Sequence, residues 1–225
     1  MDPISDAIRL EGARYALLRR LAPSMRHHLV VNLQPIGMIY EVLDKRLLAA
    51  EPQLAQIKDS AARMNGFARA AVQSCLDVMT WLTPEEGATS TVAEGVQECM
   101  GLLNGNFNFR GFSIANEAGA CTLTVSRPGI RSVLTACMLA CTDERSRPAD
   151  LVLRADAGNG EVALTIALAD NMSTDCFPND GAYRDITWAD VGAIAAAESI
   201  GVSHDEQLVR ITFPGIIPTV PLTVD

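Results

Sequence analysis

Three histidines are the side chains of this chain best suited to nucleophilic or acid–base chemistry, and two of them, His27 and His28, are adjacent. An imidazole of ordinary pKa, about 6.5, is largely unprotonated at neutral pH, so its nitrogen can attack a phosphoryl group or carry a proton. The third histidine, His204, lies in the contiguous polar sequence Ser-His-Asp-Glu. Contiguous residues do not form a catalytic triad, whose members converge from separate elements. The adjacent pair is therefore the candidate site.

The histidine pair lies within a helical pattern. Apolar residues at spacings of three and four form a stripe, and its members are Leu18, Leu21, Met25, Leu29, Leu33, Ile36, Tyr40, Leu43 and Leu47. At 100° per residue, His27 points roughly 175° away from the mean direction of this stripe and His28 roughly 85° away. We expect His27 to face solvent in mid-helix and His28 to lie on the flank. A surface residue without any function would have the same position, so exposure alone assigns no role.

A second apolar stripe follows after the short sequence AAEPQ at 49–53. Its members are Leu54, Ile57, Ala61, Met64, Ala68, Ala71, Cys75, Val78 and Leu82. Because the connection is short, the two helices must form an antiparallel hairpin. Each apolar face is wider than one helix contact, which favours a homodimeric four-helix bundle. Pro23 and Pro35 fall inside the first helix and should kink or restart it.

The second half of the chain has a mixed pattern. The sequence TPEEGATS at 83–90 is the best linker candidate, so we predict one domain over 1–83 and another over 84–225. Thr91 with Glu94 and Thr187 with Asp190 have the spacing of helix N-terminal capping pairs. The predicted elements are a helix at 92–105, strands at 111–117 and 121–126, a helix at 128–142, strands at 150–156 and 161–169, a helix at 187–199 and a strand at 207–213. This order predicts an α+β sandwich with helices on one face of a mixed sheet.

This arrangement resembles the dimerisation and phosphotransfer hairpin and the Bergerat-type ATPase-like domain of sensor histidine kinases. In that family the phospho-accepting histidine is followed by an acid, an apolar residue at +2, a proline at +5 and a leucine at +6. Here His27 is followed by His28, Leu29, Asn32 and Leu33 at those positions. The resemblance implies that His27 accepts the phosphoryl group and that His28 stands where the family's carboxylate orients or deprotonates it. Alignment on His28 instead gives a poorer match.

The ATPase-like half resembles the family in outline and lacks its nucleotide-binding residues. Ala136 and Ala140 stand in place of the two asparagines of N-L-L-x-N-A, and the sequence at 170–173 keeps the aspartate of D-x-G-x-G without its glycines. No glycine-rich phosphate loop occurs within 174–200, so the close backbone approach to a triphosphate is lost. The resemblance therefore implies no ATP and no cofactor of its own, with Mg²⁺ arriving only with a partner receiver domain. Asp170 could still bind a nucleotide or could be an ordinary turn residue.

Composition excludes several other classes of protein. A formal charge of −9 argues against nucleic acid or an anionic membrane as partner, no apolar run approaches the roughly 18 residues of a membrane-spanning helix, and the start is unlike a signal peptide. The cysteines at 75, 99, 121, 137, 141 and 176 show no CxxC spacing. Cys137 and Cys141 share one helix face without a nearby histidine, which indicates core packing and not metal binding. We expect reduced thiols and a cytoplasmic protein.

Three functions fit these observations. The first is a histidine phosphotransferase of a bacterial phosphorelay, which passes a phosphoryl group between the aspartates of response-regulator receiver domains through His27. The second is a non-catalytic dimeric scaffold or regulator of a signalling partner. The third is an active ATP-dependent histidine kinase, against which the missing motifs argue. Arg19, Arg20 and Arg26 form a basic cluster near His27, which is either a solvated face or a contact for an acidic partner or a phosphoryl group.

Overall fold

The computed structural model describes residues 3–158, 161–171 and 183–214, and within them a long helical hairpin is followed by an α+β domain. This succession confirms the predicted fold class. The elements are α1 (Pro3–Leu47), α2 (Leu54–Leu82), β1 (Thr89–Thr91), α3 (Val92–Phe109), β2 (Ser113–Asn116), β3 (Thr124–Ser126), α4 (Arg127–Asp143), β4 (Ala149–Gly158), β5 (Glu161–Asp170), α5 (Trp188–Ala197), β6 (Gly201–His204) and β7 (Leu208–Pro214). Within the described ranges, no helix is both long and apolar enough to cross a membrane.

The chain divides into two compact units. Residues 22–84 form one, which we call the hairpin unit, and residues 1–21 together with 85–225 form the other, the sheet unit. The end of the hairpin unit falls at the predicted linker. The first 21 residues, which the sequence pattern assigned to the hairpin domain, group by contact with the sheet unit instead.

Two hydrogen bonds between side chains join the helices of the hairpin unit, and Arg46 also donates to the backbone carbonyl of Gln56 on α2 over 2.9 Å. The Asn32 amide Nδ2 donates to the Ser74 hydroxyl over 2.9 Å, and the Arg46 Nη1 donates to the Ser60 hydroxyl over 2.7 Å. The contacts are separated by fourteen residues on α1 and by fourteen on α2. The antiparallel helices therefore keep one register between them.

Helix α1 continues through Pro23 and Pro35, so the predicted alternative of a restart is wrong. Each proline removes one backbone hydrogen bond, to the carbonyl four residues earlier. Those carbonyls belong to Arg19 and Val31, which are both exposed. Because water can bind there, the helix tolerates both prolines without ending.

The sheet unit contains a five-stranded mixed sheet in the order β2-β4-β5-β7-β6. β2 runs parallel to β4, and every other neighbouring pair is antiparallel. Along β7, Val209, Ile211 and Phe213 are buried, and the residues between them are exposed or half-buried. This alternation leaves one face of the strand covered and the other toward solvent, as the predicted sandwich requires.

Two strands escape sequence prediction. β1 is three polar residues long, and it pairs with β3 in a separate two-stranded sheet, so the strand predicted at 121–126 does not join the main sheet. β6 is an edge strand whose residues are exposed or half-buried. Neither segment carries the alternating apolar pattern by which strands are recognised. Gly158, Asn159 and Gly160 have the composition of a tight hairpin turn between β4 and β5, and positions 159–160 lie outside the described residues.

Both predicted capping pairs are confirmed. Thr91 and Glu94 exchange hydrogen bonds at the start of α3, and Thr187 and Asp190 do so at the start of α5. The Arg184 guanidinium, which donates to both carboxylate oxygens of Asp190, and the capping bonds from Thr187 lower the pKa of that carboxyl to about 2. The ionised Asp190 therefore stabilises the folded protein at pH values above the ordinary pKa of aspartate, and this contribution is lost as the pH falls toward 2.

The first turns of α1 pack within the sheet unit. Their buried face contains Ala13, Ala16, Leu17 and Leu21, at helical spacings of three, one and four residues. Two ion pairs accompany this apolar contact, one from Arg14 to Glu198 over 2.8 Å and a buried one from Arg20.

The buried ion pair centres on Asp143, at the end of α4. Arg20 donates to both carboxylate oxygens over 2.6 and 2.9 Å, and Arg110 donates to one of them over 3.1 Å. The backbone N–H of Ile186 donates to the same carboxylate over 3.0 Å. The side chains of Asp143, Arg20 and Arg110 are 1%, 3% and 6% exposed, so this cluster is shielded from water.

Replacement of Asp143 by Asn should lower the free energy of unfolding by about 3–5 kcal/mol, because two buried guanidinium groups lose their countercharge. Denaturant unfolding, followed by Trp188 fluorescence in a Trp81→Phe background, measures this loss. The control is Glu117→Gln, which removes an exposed ion pair with Arg154 and should cost less than about 1 kcal/mol. Equal losses in the two variants would contradict the role assigned to burial.

Candidate functional site

The two adjacent histidines lie on α1 within the hairpin unit, and both are exposed. Met25 is buried and Leu29 is half-buried, so the stripe that contains them faces inward beside the pair. The exposure of His27 agrees with its predicted direction. His28 is exposed as well, although its predicted position on the flank of the helix lies closer to the apolar stripe. The ring centroids are 6.4 Å apart and the rings are tilted by 53°. Within the described ranges, neither imidazole has a hydrogen-bond or ion-pair partner.

The three arginines of the predicted basic cluster have different environments. Arg20 is buried against Asp143, so its assignment as a partner contact needs correction, because its charge is already used inside the fold. Arg19 donates to the Tyr15 hydroxyl over 3.2 Å, and its guanidinium lies over the ring of Tyr183 at 5.0 Å. Arg26 is exposed and has no hydrogen-bond or ion-pair partner in the described part of the chain. Arg26 is thus the member that could meet another molecule.

Among the described residues, the positions aligned with the family's nucleotide-binding motifs are either packed in the core or bonded to other residues of the fold. Ala136 and Ala140 are 0% and 1% exposed and belong to the buried face of α4. Asp170 has an exposed carboxylate, to which Arg145 donates over 3.0 Å. The amide of Asn171 donates to the Gly111 carbonyl over 3.1 Å. Residues 172–182, which include Met172 and Ser173, lie outside the described residues.

The cysteines of the described chain are free thiols, and three of them are buried. Burial raises the pKa of Cys99 and of Cys141 to about 12 and raises that of Cys137 above its ordinary value, because the thiolate would lose its hydration. Such thiols are neutral and unreactive at cellular pH. In the ranges that the structure covers, no group of three or more His, Cys, Asp or Glu side chains could hold a metal ion. Cys176 lies outside them.

A cleft of about 550 Å³ in the sheet unit was not anticipated from the sequence. The rings of Trp188 and His204 stack in its wall, with centroids 3.7 Å apart and an interplanar angle of 9°. The indole N–H donates to Glu144 over 2.7 Å, and the pair between Arg145 and Asp170 lies alongside. These residues come from four separate elements or loops, so no local sequence pattern joins them. His204, which lies in the polar sequence Ser-His-Asp-Glu, is the last residue of β6 and lines this cleft.

No protein-family model and no curated protein sequence matches the chain. Among solved structures, the histidine kinase AdeS of Acinetobacter baumannii is 12% identical, with a TM-score of 0.45 over 81% of this chain and 98% of that chain. A histidine kinase from Burkholderia phymatum STM815 is 13% identical, with a TM-score of 0.41 over 95% and 97%. A bacterial phosphotransferase is 11% identical, with a TM-score of 0.37 over 95% and 97%. The chain is similar to these solved structures at sequence identities of 11–13% and with TM-scores below 0.5.

Proposed function

We propose that this chain is a histidine phosphotransferase of a two-component phosphorelay, which passes a phosphoryl group between receiver-domain aspartates through His27. The observation that supports this most directly is the position of that imidazole. It is exposed in the middle of a long helix and has no hydrogen-bond or ion-pair partner in the described residues. A nitrogen that is not engaged within the protein is available to an incoming aspartyl phosphate.

The chemistry requires one nucleophilic nitrogen and correct alignment. The neutral imidazole of His27 attacks the phosphorus of the aspartyl phosphate in line, the P–N bond forms and the P–O bond to the aspartate breaks. The ring then loses its proton, which leaves a phosphorylated histidine, and the carboxylate of a second receiver reverses the step. The receiver's own acidic pocket supplies the Mg²⁺. His28, one residue away, orients His27 or accepts its proton.

Arg26 is the residue that we assign to partner contact. It precedes His27 directly, it is exposed, and a guanidinium recognises carboxylates and phosphoryl oxygens by charge-assisted hydrogen bonds. We assign Arg19 to partner contact as well, through the N–H groups that do not donate to the Tyr15 hydroxyl. Arg20 has no such role here, because its contacts with Asp143 are buried.

The absence of an ATP requirement is also part of the proposal. The alanine methyl groups at 136 and 140 cannot hold Mg²⁺ or a phosphate, and they are packed in the core of the sheet unit. The carboxylate of Asp170, the one retained residue of the corresponding motif, is paired with Arg145. A nucleotide would have to compete with that ion pair and do without the missing glycines.

The hairpin unit should form a homodimer. Large apolar side chains between two-fifths and four-fifths exposed occur along both helices and at the start of their connection, at Val30, Val31, Leu33, Met38, Tyr40, Val42, Leu47, Leu48, Leu54, Val72, Leu76, Met79 and Leu82. Light scattering at micromolar concentration should give about 48 kDa, twice the chain mass of 24.1 kDa. Leu33→Glu should weaken the dimer, whereas Leu208→Glu, on a strand of the sheet unit, should leave it unchanged. A 24 kDa species in the wild type would contradict this prediction.

Mg-ATP should not bind measurably to residues 84–225 when the whole 225-residue chain is tested. Calorimetry with Mg-ATP measures this, and the expected result is the heat of dilution alone. A micromolar dissociation constant that disappears in Asp170→Ala would contradict the prediction and would favour an ATP-dependent kinase.

His27→Gln should abolish phosphotransfer and leave the dimer folded, because an exposed helix residue contributes within about 0.5 kcal/mol to stability. His28→Ala should lose only part of the rate, since His28 neighbours the nucleophile without replacing it. The measurement is label transfer from a panel of phosphorylated receivers, followed by mapping of the acid-labile phosphate, with His204→Gln as the control.

Full transfer by the His27 variant would assign the chemistry to His28. If the wild type accepts label from no receiver, the chain acts as a dimeric scaffold for a signalling partner and the phosphotransfer proposal fails.

A further inference from the structure

The Asn32 side chain makes two hydrogen bonds one turn away from the histidine pair. Its amide Nδ2 donates to the backbone carbonyl of His28 over 3.2 Å and to the hydroxyl of Ser74 on α2 over 2.9 Å. Asn32 and Ser74 are both half-buried. We call this contact the Asn32–Ser74 link. It connects the backbone at His28 through the Asn32 side chain to α2.

A polar link at this position has a cost in helix propensity. On the same side of α1 as Asn32 lie Met25 and Ile39, which are 6% and 9% exposed, so the link interrupts an apolar seam. Asparagine is a poorer helix former than leucine, which would also fill the seam with apolar contact. A polar residue within such a seam restricts the helices to the arrangement in which it finds its partner.

The arrangement that the link fixes is the rotation of α1 about its own axis. At 100° per residue, His27 lies about 140° around the helix from Asn32, and His28 lies about 40° from it. With Asn32 held toward α2, His27 must point away from α2, into solvent. Rotation of α1 by a fraction of a turn would move the His27 nitrogen sideways by ångströms.

We infer that Asn32 and Ser74 are positioning residues, which hold α1 in the rotation that aligns His27 with an aspartyl phosphate. This inference rests on the proposed phosphotransfer function. In-line displacement is sensitive to alignment, and a misplacement of about 1 Å can reduce a rate by about a hundredfold. The link therefore acts on the rate of transfer and not on the affinity for the receiver.

Ser74→Ala is the test variant, because it removes one hydroxyl and leaves every charge and apolar contact in place. With a phosphorylated receiver from which the wild type accepts label, kcat for transfer should fall about tenfold or more while KM for the receiver stays unchanged. Asn32→Leu should lower kcat likewise and keep or raise the melting temperature, since leucine fills the seam. Asn32→Ser combined with Ser74→Asn restores a donor and an acceptor and should recover most of the rate.

Ser60→Ala is the matched control. Ser60 is buried in the same hairpin and accepts from Arg46 in the equivalent contact fourteen residues farther along α1, remote from the histidines. Its loss should leave kcat unchanged. A wild-type kcat in Ser74→Ala, or an equal fall in Ser60→Ala, would overturn the inference.

A second readout separates this inference from the proposed function. The chain has three histidines, so their imidazole NMR signals can be assigned with the single variants. The signals of His27 and His28 should move in Ser74→Ala and stay in place in Ser60→Ala. If the wild type transfers no phosphoryl group, the proposed function fails, and unmoved signals in Ser74→Ala would then overturn the positioning as well.

Discussion

The carboxylate of Asp143 is the constraint on which the sheet unit depends. It accepts hydrogen bonds from the guanidinium groups of Arg20 and Arg110 and from the backbone N–H of Ile186, so one side chain joins four separate stretches of the chain. Because this site is shielded from water, loss of the carboxylate would leave buried guanidinium groups without the charge that they pair with. The first turns of α1 are thus held in the sheet unit by electrostatics as well as by apolar contact. This explains why residues 1–21 group with residues 85–225, although the linker at 83–90 alone would assign them to the hairpin.

Helix α4 shows how packing and chemistry exclude each other in this unit. Described residues from Gly129 to Thr142 are buried apart from Ser132, and the face includes the alanines at 136 and 140 and two thiols. Small apolar side chains let neighbouring elements approach closely, but they present nothing that could hold an ion or a phosphate. Exposed imidazoles and an exposed arginine lie on α1, in the hairpin unit. In the sheet unit, polar side chains reach solvent at the cleft beside Trp188 and His204 and not along α4.

Sequence patterns predict the long or strongly marked elements well and fail where the signal is three-dimensional. The apolar stripes, the short hairpin connection and the capping pairs at Thr91 and Thr187 each follow from local chemistry, and the structure contains them. β1 and β6 could not be predicted, because a short polar segment becomes a strand only through its hydrogen bonds to a neighbouring strand, here β3 and β7. The buried state of Arg20 depends on Asp143, 123 residues away. Its charge and residue type do not distinguish it from Arg26, which lies in the same helix and remains exposed.

The equal spacing of the two polar contacts has a consequence for the alignment of the whole hairpin. Met25, Asn32, Ile39 and Arg46 recur every seven residues on α1, and Ser60, Phe67, Ser74 and Trp81 do so on α2. A seven-residue repeat is the pattern of a left-handed coiled coil, here with apolar and polar layers in alternation. A slip of one heptad would place each polar layer against an apolar one, and only a slip of two heptads would match like with like. The alternation thus makes the correct alignment of the helices unique over a range in which a uniformly leucine seam would accept several.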